Sequence, residues 1–301
     1  FLITRIEDGL VRTVEARETG SGDSAAGYGR SIRRRQGRRP DRDFSPLAHF
    51  MDLPRYKAGA ALDFACIALT AKPWRRVSLS VSPEAESFER RAVLTQPARM
   101  GRLRVSLSEG PTATFDETSR IEVRMIRGGL QSVSELALLN GANRLAIATR
   151  DGGWEILGFR HAEETSSNVW QLRGLLRGLA GTEDAMASGA AIGAALVVLD
   201  GAVVPIGIKS DEAGLTLNWL AEAFGAAGGR AGPFVFAGGL RAETPLAPVH
   251  LAARRTSEGD IRLEWVRRSR LDGDNWNGDD IPLDEPEEAY GLEILSGDDA
   301  I

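Results

Sequence analysis

Apolar residues recur in this chain at every second position and almost nowhere at helical spacing. Val77, Leu79 and Val81 are separated by serines, and Ile261, Leu263 and Trp265 by Arg262 and Glu264. Tyr290, Leu292 and Ile294 repeat the pattern. A two-residue period puts successive side chains on opposite faces of a strand, so each run predicts one buried face and one wet face. Glycine, at 34 of 301 residues, exceeds the usual ~7% and favours many turns over long helices. The expected class is all-β, built of consecutive sandwich- or barrel-like modules, with helix under about a fifth of the residues.

Four segments follow from punctuation and period. Residues 1–18 alternate around Glu7-Asp8-Gly9 and read as a hairpin ending a preceding domain, because a lone hairpin is marginal. The chain opens on Phe1-Leu2-Ile3 without Met, which reads as a cut from a longer polypeptide. Residues 19–46 read as a linker with a basic run: Arg30, Arg33, Arg34, Arg35, Arg38, Arg39 and Arg42. Residues 47–244 read as a central β domain with strands at Phe64–Thr70, Val77–Val81, Leu103–Leu107 and Ile121–Met125. Residues 245–301 read as the start of a fibronectin type III-like sandwich, too short to be complete at the usual ~100 residues.

Within the central domain, 132–143 predicts a short helix. Ser132 or Ser134 would cap it, Gly141 or Asn143 would end it, and Leu136 and Leu139 would face the core. Asp200-Gly201 predicts a hairpin joining Ala194–Leu199 to Val203–Ile208. Residues 210–240 stay ambiguous: Leu215, Leu217 and Trp219 alternate, but Trp219–Phe224 also fits a helical turn. Gly153–Asp184 predicts a hairpin, with Trp154, Ile156 and Phe159 on one strand, Glu163–Asn168 as a polar turn and Val169–Leu172 returning. Gly174 and Gly178 then supply backbone freedom for a sharp turn.

That stretch carries a resemblance. Gly153-Trp154-Glu155, Leu157 and Phe159 are followed by Trp170, Leu172, Gly174–Gly178, Gly181, Thr182 and Glu183. The pattern resembles the large baseplate protein of gene transfer agents, the megatron or host-specificity protein, akin to phage tail-tip hubs. Leu138-Leu139-Asn140-Gly141-Ala142-Asn143 belongs to the same pattern. So do Arg267, Arg268, Arg270, Asp272–Asp274 and Trp276 ahead of Pro282, Leu283 and Glu285. The resemblance implies a structural subunit of a virion-like tail tip, forming a homotrimer and contacting other baseplate proteins, tail fibres and the host surface, with a surface glycan as one candidate contact. Under it, Trp154, Trp170, Gly174, Gly178, Trp265 and Tyr290 are structural residues. The family's cell-wall-degrading domain has no counterpart in these residues.

Chemistry-bearing patterns are sparse, so no catalytic, cofactor or metal residue is assigned. Cys66, the sole cysteine, lies in an apolar run and reads as a buried thiol. His49, His161 and His250 have no ligand spacing. Asp272–Asp280 is rich in oxygen ligands, but Trp276 stands where a calcium loop needs one; a solvated loop fits better. Glu163 and Glu164 are adjacent, so on a strand they point apart and make a poor glycosidase pair. A net charge of −5 makes nucleic-acid binding a weak reading of the basic run, and no segment has the ~20 apolar residues of a membrane span. The competing reading is a carbohydrate-binding or cell-wall-degrading module. It requires an exposed Trp beside a carboxylate, whereas Trp154, Trp170 and Trp265 are all expected to be buried.

Overall fold

The computed structural model describes residues 2–7, 13–17, 44–56, 65–225, 229–270, 281–283 and 285–293. The chain divides into two units, Phe1–Pro40 and Asp41–Ile301. In the first, β1 (Leu2–Glu7) and β2 (Thr13–Arg17) pair antiparallel, as the alternation predicts, with a bulge between Ile3 and Arg5.

In the second unit β3 (Leu47–Asp52), β4 (Ala65–Thr70), β5 (Val77–Ser82) and β6 (Glu89–Leu94) precede β7 (Met100–Leu103), β8 (Phe115–Asp116) and β9 (Ile121–Arg127). Helix α1 (Glu135–Leu139) leads to β10 (Arg144–Ala148), β11 (Trp154–Ser166) and β12 (Val169–Leu176). Helix α2 (Glu183–Ser188) is followed by β13 (Ala195–Val198), β14 (Val204–Pro205), β15 (Leu217–Ala223) and β16 (Arg230–Phe236). A ribbon of β17 (Val249–Arg255) and β18 (Ile261–Val266) comes last. The class is all-β.

Strands β11-β10-β13-β7-β9-β12 close into an antiparallel barrel through the β11–β12 pairing, with β8 added beyond β12. Two further sheets are ordered β14-β4-β3 and β16-β15-β5-β6. The two-residue period explains how these layers share residues. Leu145 and Ile147 of β10 point into the barrel with Leu157, Phe159, Leu172 and Leu196, while Ala146 between them points out. Ala146, Met100, Ile156 and Val197 on the outer wall meet Cys66 and Ala68 of β4. The opposite face of β4 presents Ala65, Ile67 and Leu69 to Leu79, Leu217 and Trp219 of the four-stranded sheet. Strand β4 is therefore buried on both faces, which is why its sequence is a continuous apolar run.

Several sequence expectations need correction. The serines of β5 are not wet: Ser78, Ser80 and Ser82 are buried. They lie on a central strand flanked on both sides by β6 and β15, with Arg90, Glu222 and Asn218 as paired neighbours, and a short side chain between two strands reaches little solvent. The strand expected at Leu103–Leu107 ends at Leu103, and Leu107 makes only an isolated bridge to Ala190. Asp200-Gly201 is not a hairpin, because β13 belongs to the barrel and β14 to the three-stranded sheet. In α1, Ser134 is the cap, but the buried residue is Leu138; Leu136 and Leu139 are 69% and 58% exposed. A helix of five residues has room for one inward position. Glu163–Ser166 are strand, and the turn shrinks to Ser167-Asn168. Trp219 lies on a strand, fully buried in the outer sandwich core. Cys66 is buried, as expected. The basic run Arg30–Arg42, the Asp272–Asp280 loop and Ile294 lie outside the described residues.

Candidate functional site

Glu155 shares its strand face with Leu157 and Phe159, so the β period turns a carboxylate into an apolar barrel. Arg177, two residues beyond Leu175, arrives on the same interior. Both side chains are completely buried, and the guanidinium is bidentate: Nε lies 2.6 Å from Oε1 and Nη2 lies 2.9 Å from Oε2. Nη2 also donates to the Ser108 carbonyl at 3.0 Å, and the Gly178 amide donates to Glu155 Oε1 at 3.2 Å. A buried charge is tolerated only when paired and hydrogen-bonded. Here the pair ties β11 to the end of β12 and to the loop at Ser108.

Gly178 turns at φ +58, and a side chain there would press on Glu183, 3.1 Å from its Cγ and 3.3 Å from its Cα. Thr182, wholly buried, accepts from the Ile156 amide at 3.0 Å and donates to the Leu179 carbonyl at 2.8 Å. Gly174 also sits at positive φ, with Arg160 lying across it; a Cβ there would stand 2.8 Å from Arg160 Nε. The space lets Arg160 reach Glu135 at 2.8 Å, pair with Glu117 and cover the Phe115 ring at 4.6 Å. Arg160 thus fastens α1 and the β8 loop to the barrel wall.

Trp154 and Trp170 are half-buried rather than buried. Trp154 lies against the outer wall with its ring edge-on to His49 at 6.0 Å, and Trp170 covers Gly129. Burial, with Arg102 nearby, lowers the His49 pKa and favours neutral imidazole. At Asp116, burial would raise the carboxyl pKa. Hydrogen bonds from Ser119 and Thr118 outweigh it and hold the group at about 2. No cluster of three or more potential metal ligands occurs among the described residues. Glu163 and Glu164 do not converge: Glu163 pairs with Arg173 at 3.4 Å, and Glu164 accepts the Asn168 amide at 2.8 Å.

A second feature overturns an expectation. Trp265 is 37% exposed instead of buried, because among the described residues the two-stranded ribbon has no second sheet over that face. Tyr290, 44% exposed, meets Trp265 edge-to-face at 4.9 Å, and its hydroxyl donates to Glu288 at 2.8 Å. Tyr290, without Trp265, lines a cleft of about 420 Å³ walled also by Pro245, Leu246, Pro248 and Pro286.

The barrel runs from Met100 to Val198, and that span decides the comparison with known proteins. Residues 98–197 match the family model Rcc01698-like, C-terminal. The Rcc01698-like family name is linked to gene transfer agents. No curated protein matches the chain. The Rcc01698-like region is the barrel alone, and it contains Trp154, Trp170, Gly174, Gly178 and the Glu155–Arg177 pair. Trp265 and Tyr290 fall outside it.

Proposed function

We propose that this chain is a structural component of a phage-like tail tip or baseplate in a gene transfer agent, contributing to fibre attachment and host-cell contact during DNA delivery. One observation carries the reading: the Rcc01698-like match coincides with the closed barrel. The residues behind the baseplate resemblance also act there as fasteners, with Glu155 held by Arg177, Thr182 holding the Ile156 amide and Gly174 seating Arg160. A motif made of fasteners suits a scaffold that must keep its shape within a homotrimeric hub. An epitope inserted between Ser167 and Asn168, at the exposed hairpin tip, tests this in assembled particles. Immunogold label at the tail tip is expected, and particles free of label would refute it. In this reading the chain carries no reaction of its own. Purified chain should release no more peptidoglycan fragments than buffer does, and digestion above that level would overturn the point.

A second reading, a carbohydrate-binding surface, is favoured by one specific observation: Trp265 is exposed, with Tyr290 and Glu288 beside it. An aromatic face with an adjacent hydrogen-bonding carboxylate is the chemistry a pyranose requires. A glycan array probed with wild type and Trp265→Ala separates the readings. Binding lost in the variant supports the second, and no binding by either removes it.

A further inference from the structure

The strip Gly181–Asp184 on the barrel rim receives the chain that leads to the β17–β18 ribbon. Gly181 leaves a slot for Leu246: a Cβ at Gly181 would stand 2.3 Å from Leu246 Cδ2. Glu183 takes Arg268 through two contacts, Nη1 to Oε1 at 2.6 Å and Nη2 to Oε2 at 3.4 Å. The same guanidinium donates through Nε to the Ala247 carbonyl at 2.8 Å, so it grips both the rim and the approaching segment.

The segment just before belongs to the body. Asp52 accepts the amides of Gly239, Leu240 and Arg241 at 2.9, 3.3 and 3.2 Å, and the Arg241 side chain pairs with Asp184 at 2.5 and 2.6 Å. Fixed anchorage therefore ends near Arg241, and the ribbon is held to the rim beyond it by Leu246 and Arg268. Pro245 and Pro248 restrict the backbone between them, so movement is channelled into few bonds. We propose that Leu246 and Arg268 form a latch closing the ribbon onto the barrel rim, and that ionic strength opens it.

The contacts are of the strength a latch needs. Glu183 and Arg268 keep 31% and 26% of their side-chain surfaces exposed, and exposed pairs are weak and salt-screened. Leu246 is only half-buried. Neither contact is strong enough to make closure permanent. The proposal does not depend on the tail-tip reading.

Paired spin labels at Ser167→Cys on the barrel hairpin and Ser257→Cys on the ribbon tip report the spacing, while Cys66 stays unlabelled because it is buried. At roughly 0.05 M salt, where the screening length exceeds about 10 Å, one narrow distance is expected. Near 1 M, where it falls to about 3 Å, a second population should appear. Arg268→Ala should show both populations at either salt, losing the salt response. Leu246→Ala should shift toward the open population yet keep the response. Glu183→Gln, nearly isosteric, should behave like Arg268→Ala. Cooperative melting through buried Trp219 monitors the fold in each variant. One narrow distance in Arg268→Ala and Glu183→Gln, with the melt intact, would overturn the latch. So would a wild-type distance indifferent to salt.

Discussion

Glu155 and Arg177 are both fully buried, so removing one strands the other in an apolar interior. Glu155→Ala or Arg177→Ala should each cost about 3–5 kcal/mol, read from urea midpoints. Replacing both by Met should cost less than either single change, since two apolar groups leave no orphan charge. A double variant worse than both singles would show that the pair organises the barrel in some other way. Asp116 gives a pH signature. Its folded pKa of about 2 lies below the ordinary 3.8, so its contribution is complete above about pH 4 and lost as pH falls toward 2. That contribution is about 2 kcal/mol. The stability gap between wild type and Asp116→Asn should therefore shrink across that window; a gap unchanged from pH 6 to 2.5 would contradict this account. The ion pair was legible in principle, since Glu155 keeps the parity of Leu157 and Phe159 and a charge on a core-facing position requires a partner. Which partner was not legible: Arg177 is one of many arginines, and only barrel closure brings it there.

Elements were readable where one face is buried and the other wet, and obscure elsewhere. Strand β9 follows its two-residue period in burial; β15 does too, although its sequence also fits a helical turn, and β18 forms with every residue exposed, so its alternation marks no buried face. Strand β3 was missed because half-buried positions, including Phe50 and His49, blur its alternation. The end of β11 reads as turn in the sequence because Glu163–Ser166 is exposed on both faces, leaving no contrast for a pattern to report. Helix α1 shows the limit of counting leucines, since three of its five residues are Leu and geometry selects one. Leu138→Ala should cost about 2–5 kcal/mol, whereas Leu136→Ala should stay within about 0.5 kcal/mol. Thermal melts of the two variants check the assignment, and equal losses would mean the helix is rotated.

At the scale of the whole molecule, the family match ends where the barrel ends, but the barrel's burial does not. Its outer wall carries Met100, Ala146, Ile156 and Val197 into a core shared with the three-stranded sheet. Residues 98–199 expressed alone should bind a hydrophobic dye and melt below residues 44–244. Equal stability of the two, without dye binding, would show that the barrel needs no neighbour. The all-β class was legible because it is a sum of local periods. The layering was not, since an apolar run such as Ala65–Leu69 does not say which core each face will join. The shared strand also acts as a proofreader. Its large residues, Ile67 and Leu69, serve the outer sandwich, and its small ones, Cys66 and Ala68, serve the barrel wall. A slip of one residue would exchange the two sets, crowding one core and hollowing the other in a single step. Neither core can close around a misaligned β4, so correct pairing of one strand sets the alignment of both cores.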